Sequence, residues 1–256
     1  MDLDVAGTRF AATVSGEGPV VVLVHAGVAD QRMWDPVVAE LDGRRVARYD
    51  LRGFGRTEPG AGRFAHHRDL LAVLDALGIE RAVLAGASFG GLVALDAAAV
   101  APQRVVALVL QAPALPDHEW SDAMVSFFEA EEAAIEARDL DRAVQLNVDF
   151  WAGALDDEGR ALVAAMQRRA FELQLAADLE EDELEPPVTA RLADVAMPVH
   201  VLVGEEDKPD FRAIAERLAR ELPDARLDVV PGAGHLVGME RPDVVAAAIA
   251  AATRGD

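Results

Sequence analysis

The sequence contains no cysteine, which excludes disulfide bonds, thiolate metal sites and cysteine nucleophiles. Long hydrophobic runs are also missing: the uncharged stretch over residues 82–95 has 14 residues and is interrupted by glycine and serine. A segment of that length is too short to span a bilayer. The acidic start, Met1-Asp2-Leu3-Asp4, lacks the basic and then apolar layout of a signal peptide. We therefore expect a cytoplasmic protein that does not insert into a membrane.

Positive charge is scarce as well. The chain has 24 Lys and Arg against 45 Asp and Glu, a formal net charge of −21, and Lys208 is its single lysine. Nucleic acids and anionic membranes bind proteins through Lys and Arg, so the composition argues against both as partners. The charge is also uneven, because residues 114–190 contain 20 acidic residues and 5 arginines. This difference in charge indicates that residues 114–190 form a segment structurally distinct from the rest of the chain.

What the chain does contain is an alternation of short apolar runs with helical patterns. A hairpin is predicted over residues 5–14, and further strands over 20–24, 45–49, 82–85, 105–110, 199–203 and 227–230. Helical spacing of apolar residues occurs over 33–41, 69–77 and 211–222, and a final helix begins at Pro242. Strands that alternate with helices form a mostly parallel sheet with helices on both faces. The predicted fold class is α/β, with an eight-stranded sheet.

Residues 114–189 show no comparable strand runs. They predict three or four helices, around 120–137, 140–151 and 158–179, followed by an acidic run and Pro186-Pro187. We therefore predict an α/β core formed by residues 1–113 and 190–256, and a helical sub-domain over 114–189 that is inserted into it.

Ser88 is the strongest candidate for a catalytic residue. It lies in Gly86-Ala87-Ser88-Phe89-Gly90, after an apolar strand and before a helical stretch. A strand-to-helix turn of this kind is so tight that the residues two before and two after the serine must be small. The two glycines meet that requirement, so we expect the hydroxyl to stand clear at the helix N-terminus. The arrangement predicts a nucleophilic serine.

A nucleophilic serine needs a base that accepts its proton and a carboxylate that orients the base. His235 is the predicted base, since it follows the last strand in a glycine-rich loop. Asp207 follows the penultimate strand and is the predicted carboxylate, with nearby alternatives at Glu205, Glu206 and Asp210.

Together these motifs resemble the α/β-hydrolase superfamily. The similarity covers nearly the whole chain and includes Val24-His25-Ala26-Gly27, Tyr49-Asp50-Leu51-Arg52-Gly53-Phe54-Gly55, the serine turn, Gly204-Glu205-Glu206-Asp207 and Gly232-Ala233-Gly234-His235. Within the superfamily the chain looks most like capped small-molecule serine hydrolases: esterases, enol-lactonases and haloperoxidase-like relatives. The resemblance implies the α/β-hydrolase fold, a helical cap formed by residues 114–189, and a catalytic triad in the order Ser88, Asp207, His235. It implies no metal and no cofactor.

The resemblance also predicts where the negative oxygen of the reaction is held. One donor is the backbone N–H of Phe89, directly after the nucleophile, and the second is that of Gly27 or, failing that, Val28. The chain departs from the usual His-Gly pattern here, because Ala26 follows His25. Six residues are predicted to line the substrate pocket: Val28, Trp34, Trp120, Phe128, Trp151 and Leu236.

The function predicted from these residues is a cofactor-independent serine hydrolase that cleaves small carboxylic esters or lactones through an acyl-enzyme. Three alternatives keep the same triad: hydrolysis of a carbon–carbon bond, enol-lactone hydrolysis, and formation of peracids. A fourth is a ligand-binding protein without catalytic activity on the same scaffold. The expected partner is a small-molecule substrate, and the expected oligomeric state is a monomer or a homodimer.

Overall fold

The computed structural model describes residues 1–5, 7–177 and 180–255. Four residues lie outside the described ranges: Ala6, Asp178, Leu179 and Asp256. The predicted end of the third insert helix, at Leu179, therefore also lies outside them. Within the described ranges, no helix combines the length and the apolar character that crossing a membrane requires.

The centre of the molecule is an eight-stranded sheet, accompanied by a separate two-stranded pair. The strands in chain order are β1 (Asp2–Val5), β2 (Thr8–Ser15), β3 (Val20–Val24), β4 (Arg45–Tyr49), β5 (Arg63–Phe64), β6 (Ala82–Ala87), β7 (Val105–Gln111), β8 (Glu180–Glu181), β9 (Val199–Gly204) and β10 (Ala225–Val230). Across the large sheet they follow the order β1-β2-β4-β3-β6-β7-β9-β10, while β5 pairs with β8. Strand β2 is antiparallel to β1 and β4, and all other neighbours in the large sheet are parallel.

Helices cover both faces of this sheet. In chain order they are α1 (Asp35–Ala39), α2 (His66–Ala76), α3 (Phe89–Val100), α4 (Asp122–Glu136), α5 (Leu140–Trp151), α6 (Asp157–Leu175), α7 (Pro209–Glu221), α8 (Val237–Glu240) and α9 (Pro242–Ala252). Side chains of a strand alternate between faces, so Val22 and Val24 belong to the apolar cluster that includes residues of α2, α3 and α7, whereas Val21 and Leu23 belong to the cluster that includes residues of α1 and α9. The continuous apolar sequence of β3 follows from this burial on both sides.

Helices α4, α5 and α6 lie between β7 and β9 in the chain, and we call residues 114–189 the insert. Each of the three begins at a polar residue whose side chain accepts a hydrogen bond from the first turn: Ser121 for α4, Asp139 for α5 and Asp156 for α6. Such caps satisfy backbone donors that the helix leaves unpaired. They explain why the acidic sequence of the insert still breaks into defined helices.

The predicted α/β fold with a mostly parallel eight-stranded sheet is confirmed. One predicted helix, over residues 33–41, differs from the structure. This part of the chain forms a 3₁₀ turn, Gln31–Trp34, followed by the short helix α1. Pro36 lies in the first turn of α1, where the N–H that proline lacks is not needed, whereas a continuous helix would use that N–H. The short elements β5, β8 and α8 were not predicted. The division into a core and a cap sub-domain at residues 114 and 189 stays a prediction.

Candidate active site

The predicted site residues come from loops at the carboxyl ends of four parallel strands. Gly27 follows β3, Ser88 follows β6, Asp207 follows β9 and His235 follows β10. The strand order reverses at β3, since β4 lies on one side of it and β6 on the other. A reversal of this kind leaves a crevice at the carboxyl ends of the strands, where ligands bind in open α/β sheets.

Ser88 connects β6 to α3 in a backbone conformation that residues with side chains rarely adopt. Its φ is 50° and its ψ is −115°, and holding a non-glycine residue there costs on the order of 1–3 kcal/mol. The flanking glycines permit the turn, because a side chain on Gly86 would overlap Gly90, and one on Gly90 would overlap the carbonyl groups of Val24 and His25. Backbone contacts therefore fix the position of the serine.

His235 and Asp207 form a buried pair. Nδ1 of His235 lies 3.0 Å and 3.1 Å from the two carboxylate oxygens of Asp207, and neither side chain is more than 3% exposed. Oδ1 of Asp207 also accepts the N–H of Lys208 at 2.7 Å. Because an ionised carboxylate can only accept, the imidazole proton belongs on Nδ1, which leaves Nε2 as the basic nitrogen.

Asp210, one of the alternative acids, serves a different contact. It accepts hydrogen bonds from the N–H and hydroxyl of Ser121, at 2.8 and 2.7 Å, and lies 3.3 Å from Nε2 of His118. Burial tends to raise the pKa of Asp210, but these hydrogen bonds outweigh it and bring the pKa below its ordinary value. Asp210 therefore ties the start of the insert to α7.

Ser88 and His235 line one cavity of about 390 Å³, which we call the site cavity. Among the hydrogen bonds of the described residues, none joins the Ser88 hydroxyl to the His235 imidazole. Bonds between a nucleophile and its base are often long until substrate binds. The imidazole packs against Trp151 and Phe211, whose ring centroids lie 4.5 and 4.4 Å from its own.

The loop after β3 runs beside the start of α3. A carbon atom added to Gly27 would lie 3.5 Å from Cβ of Phe89, so the two predicted oxyanion donors are neighbours. Gly27, Val28 and Phe89 all line the site cavity. Within the described part of the chain, none of their N–H groups donates to a protein acceptor. These groups are therefore available to a ligand.

His25 supports this loop from beneath. Its Nδ1 donates to the carbonyl of Ala26 at 2.8 Å, and its Nε2 accepts the N–H of Leu51 at 2.9 Å. Complete burial lowers the pKa of His25, although Asp50 opposes part of that shift. A neutral imidazole with both nitrogens occupied holds two loops together and has no free nitrogen for proton transfer.

Seven Phe and Trp side chains line the site cavity. Four of the six predicted pocket residues line it: Val28, Trp120, Phe128 and Trp151. Three further aromatic residues also line it: Phe127, Phe171 and Phe211.

The two remaining predicted pocket residues, Trp34 and Leu236, lie outside this lining. Trp34 is fully buried on the α1 and α9 side of the sheet, where its ring would lie 3.4 Å from a carbon added to Gly238. Leu236 is buried in the same apolar cluster. Both side chains therefore fill the core: Trp34 ends the 3₁₀ turn Gln31–Trp34, and Leu236 directly follows His235 in the chain.

The insert adds polar groups to the wall of the site cavity. Glu131 of α4 and Asn147 of α5 both line it, and the Asn147 amide donates to one oxygen of Glu131. Burial raises the pKa of Glu131, and the bond from Asn147 opposes part of that rise. Gln167 of α6, which is 5% exposed, also lines the cavity, and its Oε1 accepts no hydrogen bond from the described residues. Sequence reasoning missed these residues, because no pattern separates Glu131 from the other acidic residues of the insert.

Glu240 is a second residue that the sequence analysis missed. Its carboxylate accepts the backbone N–H groups of Gly234 and Leu236, which flank His235. Burial raises the pKa of Glu240, and the two hydrogen bonds oppose that rise. The glutamate therefore fixes the loop that carries His235. Its closeness to His235 in the chain was the only signal that could have identified it.

A second cavity of about 350 Å³ shares Phe89 and Trp120 with the site cavity. Its wall contains Asp96, Glu181 and His66. Burial, with repulsion from nearby acids, raises the pKa of both Asp96 and Glu181 to about 7, and burial lowers the pKa of His66 to about 3. Within the described ranges, no group of three or more His, Asp or Glu side chains is arranged to hold a metal ion.

Comparisons with known proteins agree with this architecture. A family model described as the alpha/beta hydrolase family matches residues 21–248. The chain is 26% identical over 266 residues to the putative 2-succinyl-6-hydroxy-2,4-cyclohexadiene-1-carboxylate synthase of Bacillus subtilis, covering 92% of this chain and 91% of that protein. It is 28% identical over 262 residues to the carboxylesterase YbfK of Bacillus subtilis, covering 93% and 83%. A solved structure, the enol-lactonase from Burkholderia xenovorans LB400, superposes with a TM-score of 0.79 at 24% identity and covers 98% of this chain and 99% of its own. The protein therefore belongs to the alpha/beta hydrolase family, and its esterase relatives support a hydrolytic activity.

Proposed function

We propose that this protein is a serine hydrolase that cleaves small carboxylic esters or lactones through an acyl-enzyme. The observation that carries the proposal is the His235–Asp207 pair, whose imidazole faces the same cavity as Ser88. A buried carboxylate that fixes the imidazole tautomer leaves Nε2 free to accept a proton. The strained backbone of Ser88 also fits this role, since strain of this kind clusters at active sites.

In the first half of the reaction, the Ser88 oxygen attacks the carbonyl carbon of the ester. Its proton passes to Nε2 of His235, and Asp207 stabilises the imidazolium that forms. The tetrahedral carbon then expels the alcohol, which takes the proton from Nε2. Ser88 is left esterified by the acyl group.

The oxygen that becomes negative during this step needs donors that are already in place. The N–H groups of Phe89 and Gly27 meet that need, because they lie on neighbouring segments at the cavity wall. Loss of one such donor typically lowers the rate by about 10²–10³-fold. Val28 remains the alternative second donor.

In the second half, water attacks the acyl-enzyme. His235 accepts a proton from that water through Nε2 and returns it to the Ser88 oxygen as the acid leaves. The rings of Trp151 and Phe211 against the imidazole limit access of bulk water to it, so a single positioned water is favoured over open solvent.

The relatives support an ester bond as the first substrate to test. The carboxylesterase relative covers 93% of this chain, and the aromatic wall of the site cavity favours an apolar acyl or alcohol group. Lactones are the cyclic form of the same bond and require no change in the proposed steps. A panel of p-nitrophenyl acyl esters, lactones and vinylogous ketones separates ester hydrolysis from cleavage of a carbon–carbon bond.

The deciding experiment is covalent labelling. A fluorophosphonate should label the wild-type protein at Ser88, located by mass spectrometry of the tryptic peptide, and Ser88→Ala should abolish both labelling and turnover. Ser126→Ala, an exposed position on α4, is the matched control and should behave as wild type. Absence of labelling on a folded sample would contradict the proposal and favour a ligand-binding protein.

A further inference from the structure

The insert side of the site cavity carries acceptor groups that ester hydrolysis does not use. Glu131 receives one side-chain hydrogen bond, from Asn147, and Oε1 of Gln167 receives none from the described residues. Oε1 of Gln167 is enclosed, whereas Glu131 is half-buried, and its second carboxylate oxygen accepts no hydrogen bond from the described residues. A ligand that donates a hydrogen bond at this wall would satisfy that oxygen.

The charge of the wall favours a cation among such ligands. Glu131 is the one carboxylate among the described lining residues, and no lysine or arginine lines the cavity to neutralise it. Taking a carboxylate out of water disfavours its charge unless a cation or several donors replace the water. A bound ammonium group provides both the opposite charge and three N–H donors.

The surroundings of the wall favour the same ligand class. Trp120, Phe127, Phe128 and Phe171 line the cavity, and aromatic faces attract ammonium groups that leave water. The insert itself has 20 acidic residues against 5 arginines over residues 114–190. A field of that sign draws cations towards the cavity and repels anions.

We propose that the substrate carries a protonated primary amine, which Glu131 binds through a charged hydrogen bond. The substrate class is then an ester or lactone with an ammonium group in its acyl or alcohol portion. This inference rests on the proposed function for the identity of the bond that is cleaved. Glu131 acts on binding and selectivity, and Ser88 and His235 act on the bond.

Matched substrates test the selectivity directly. At pH 7 we compare p-nitrophenyl 6-aminohexanoate with its uncharged alkyl and hydroxyl counterparts, p-nitrophenyl heptanoate and 6-hydroxyhexanoate, and we repeat the series with the shorter 3-aminopropanoate and butanoate. The ammonium ester should exceed its alkyl counterpart in kcat/KM by about tenfold or more at one of the two lengths, mainly through a lower KM, since a hydrogen bond to a charged group carries that much discrimination. If the alkyl or hydroxyl ester is hydrolysed as well as the ammonium ester at both lengths, the inference is wrong while the proposed function stands.

Two variants distinguish an effect of the Glu131 carboxylate from an effect of the overall negative charge of the insert. Glu131→Gln should reduce the preference for the ammonium ester over its alkyl counterpart by about tenfold, with the ratio measured within each protein. Glu132→Gln removes the same charge from an exposed position on the same helix and should keep the preference. An equal loss in Glu131→Gln and Glu132→Gln would overturn the assignment.

A binding measurement keeps the inference testable if the protein hydrolyses none of these esters. Trp120 and Trp151 line the cavity, so their fluorescence reports ligands in the Ser88→Ala protein. Hexylammonium should bind at least tenfold more tightly than 1-hexanol, and Glu131→Gln should remove the difference. Equal binding of the two ligands contradicts the ammonium site, whereas selective binding without labelling of Ser88 contradicts only the proposed hydrolysis.

Discussion

The two halves of the site cavity are built in different ways. At the sheet edge, backbone groups lie so close that glycine is required, and Ser88 is held in a conformation that its side chain disfavours. On the insert side, contacts are made by side chains, such as the stacked rings of Phe127 and Phe150, 4.2 Å apart. The comparison teaches that backbone contacts fix Ser88, the proposed nucleophile, whereas side chains form the insert wall of the cavity.

The largest effect is expected at the sheet edge, from Asp207→Asn. Because the amide cannot fix the imidazole tautomer as a carboxylate does, kcat/KM for a p-nitrophenyl ester should fall on the order of 10⁴-fold, the size seen in another triad. Asp210→Asn is the matched control, since Asp210 binds the insert through Ser121. We expect that variant to lose less than about tenfold. A near-normal rate for Asp207→Asn would show that another acid orients His235.

Two glycine substitutions compare the regions in terms of stability. Gly90→Ala places a methyl group into the carbonyl groups of Val24 and His25, and we expect a loss of about 3 kcal/mol in the free energy of unfolding. In the insert, the added carbon of Gly153→Ala meets only the Asp149 carbonyl, at 3.7 Å. That change should be within about 0.5 kcal/mol of wild type. Urea denaturation followed by circular dichroism measures the free energy of unfolding of both variants. Similar losses in the two variants would contradict the expected difference between the two regions.

The wall of the second cavity contains a half-buried acid, Asp96, whose effect on stability depends on pH. The pKa of Asp96 is raised to about 7 by burial and by nearby acids. Between pH 3.8 and about pH 7, the Asp96 carboxyl therefore keeps its proton in the native state but has released it in the unfolded chain. The destabilisation that Asp96 causes is absent below pH 3.8 and complete above about pH 7. Asp96→Asn should raise the free energy of unfolding by about 2 kcal/mol at pH 8, and by clearly less at pH 5. A gain that is the same at both pH values would contradict the raised pKa.

The smallest effect is expected from the aromatic wall. Trp151→Leu removes the ring that lies 4.5 Å from that of His235, and kcat/KM should fall about tenfold as water reaches the imidazole. Trp34→Phe is the control: Trp34 is buried outside the cavity, so stability should fall while KM is retained. Steady-state kinetics with one ester distinguishes the two, and a changed KM in Trp34→Phe would place Trp34 closer to the substrate than the structure does.

The sheet and the serine turn could be predicted because their signals are local. The apolar run of β3 and the spacing of Gly86, Ser88 and Gly90 each follow from what one short segment can bury or avoid. The proximity of His235 to Asp207 followed from strand order, since parallel strands bring their carboxyl ends to one edge.

The cavity wall could not be predicted to the same degree, because it depends on how distant segments face each other. Trp34 and Trp120 look alike in sequence, yet one fills the core and the other lines the cavity. Glu131 differs from its acidic neighbours only by the direction in which α4 turns it. The pairing of β5 with β8 joins Arg63–Phe64 to Glu180–Glu181 across the chain, and no local pattern marks it.

The positive φ of Ser88 bears on how this protein changes over generations. Glycine adopts such a backbone without strain, so replacement of Ser88 by glycine would relax the turn and make the fold more secure. A lineage released from selection for chemistry would drift towards that residue. Under the proposed function, the hydroxyl at this position marks a place where selection for activity outweighs selection for stability.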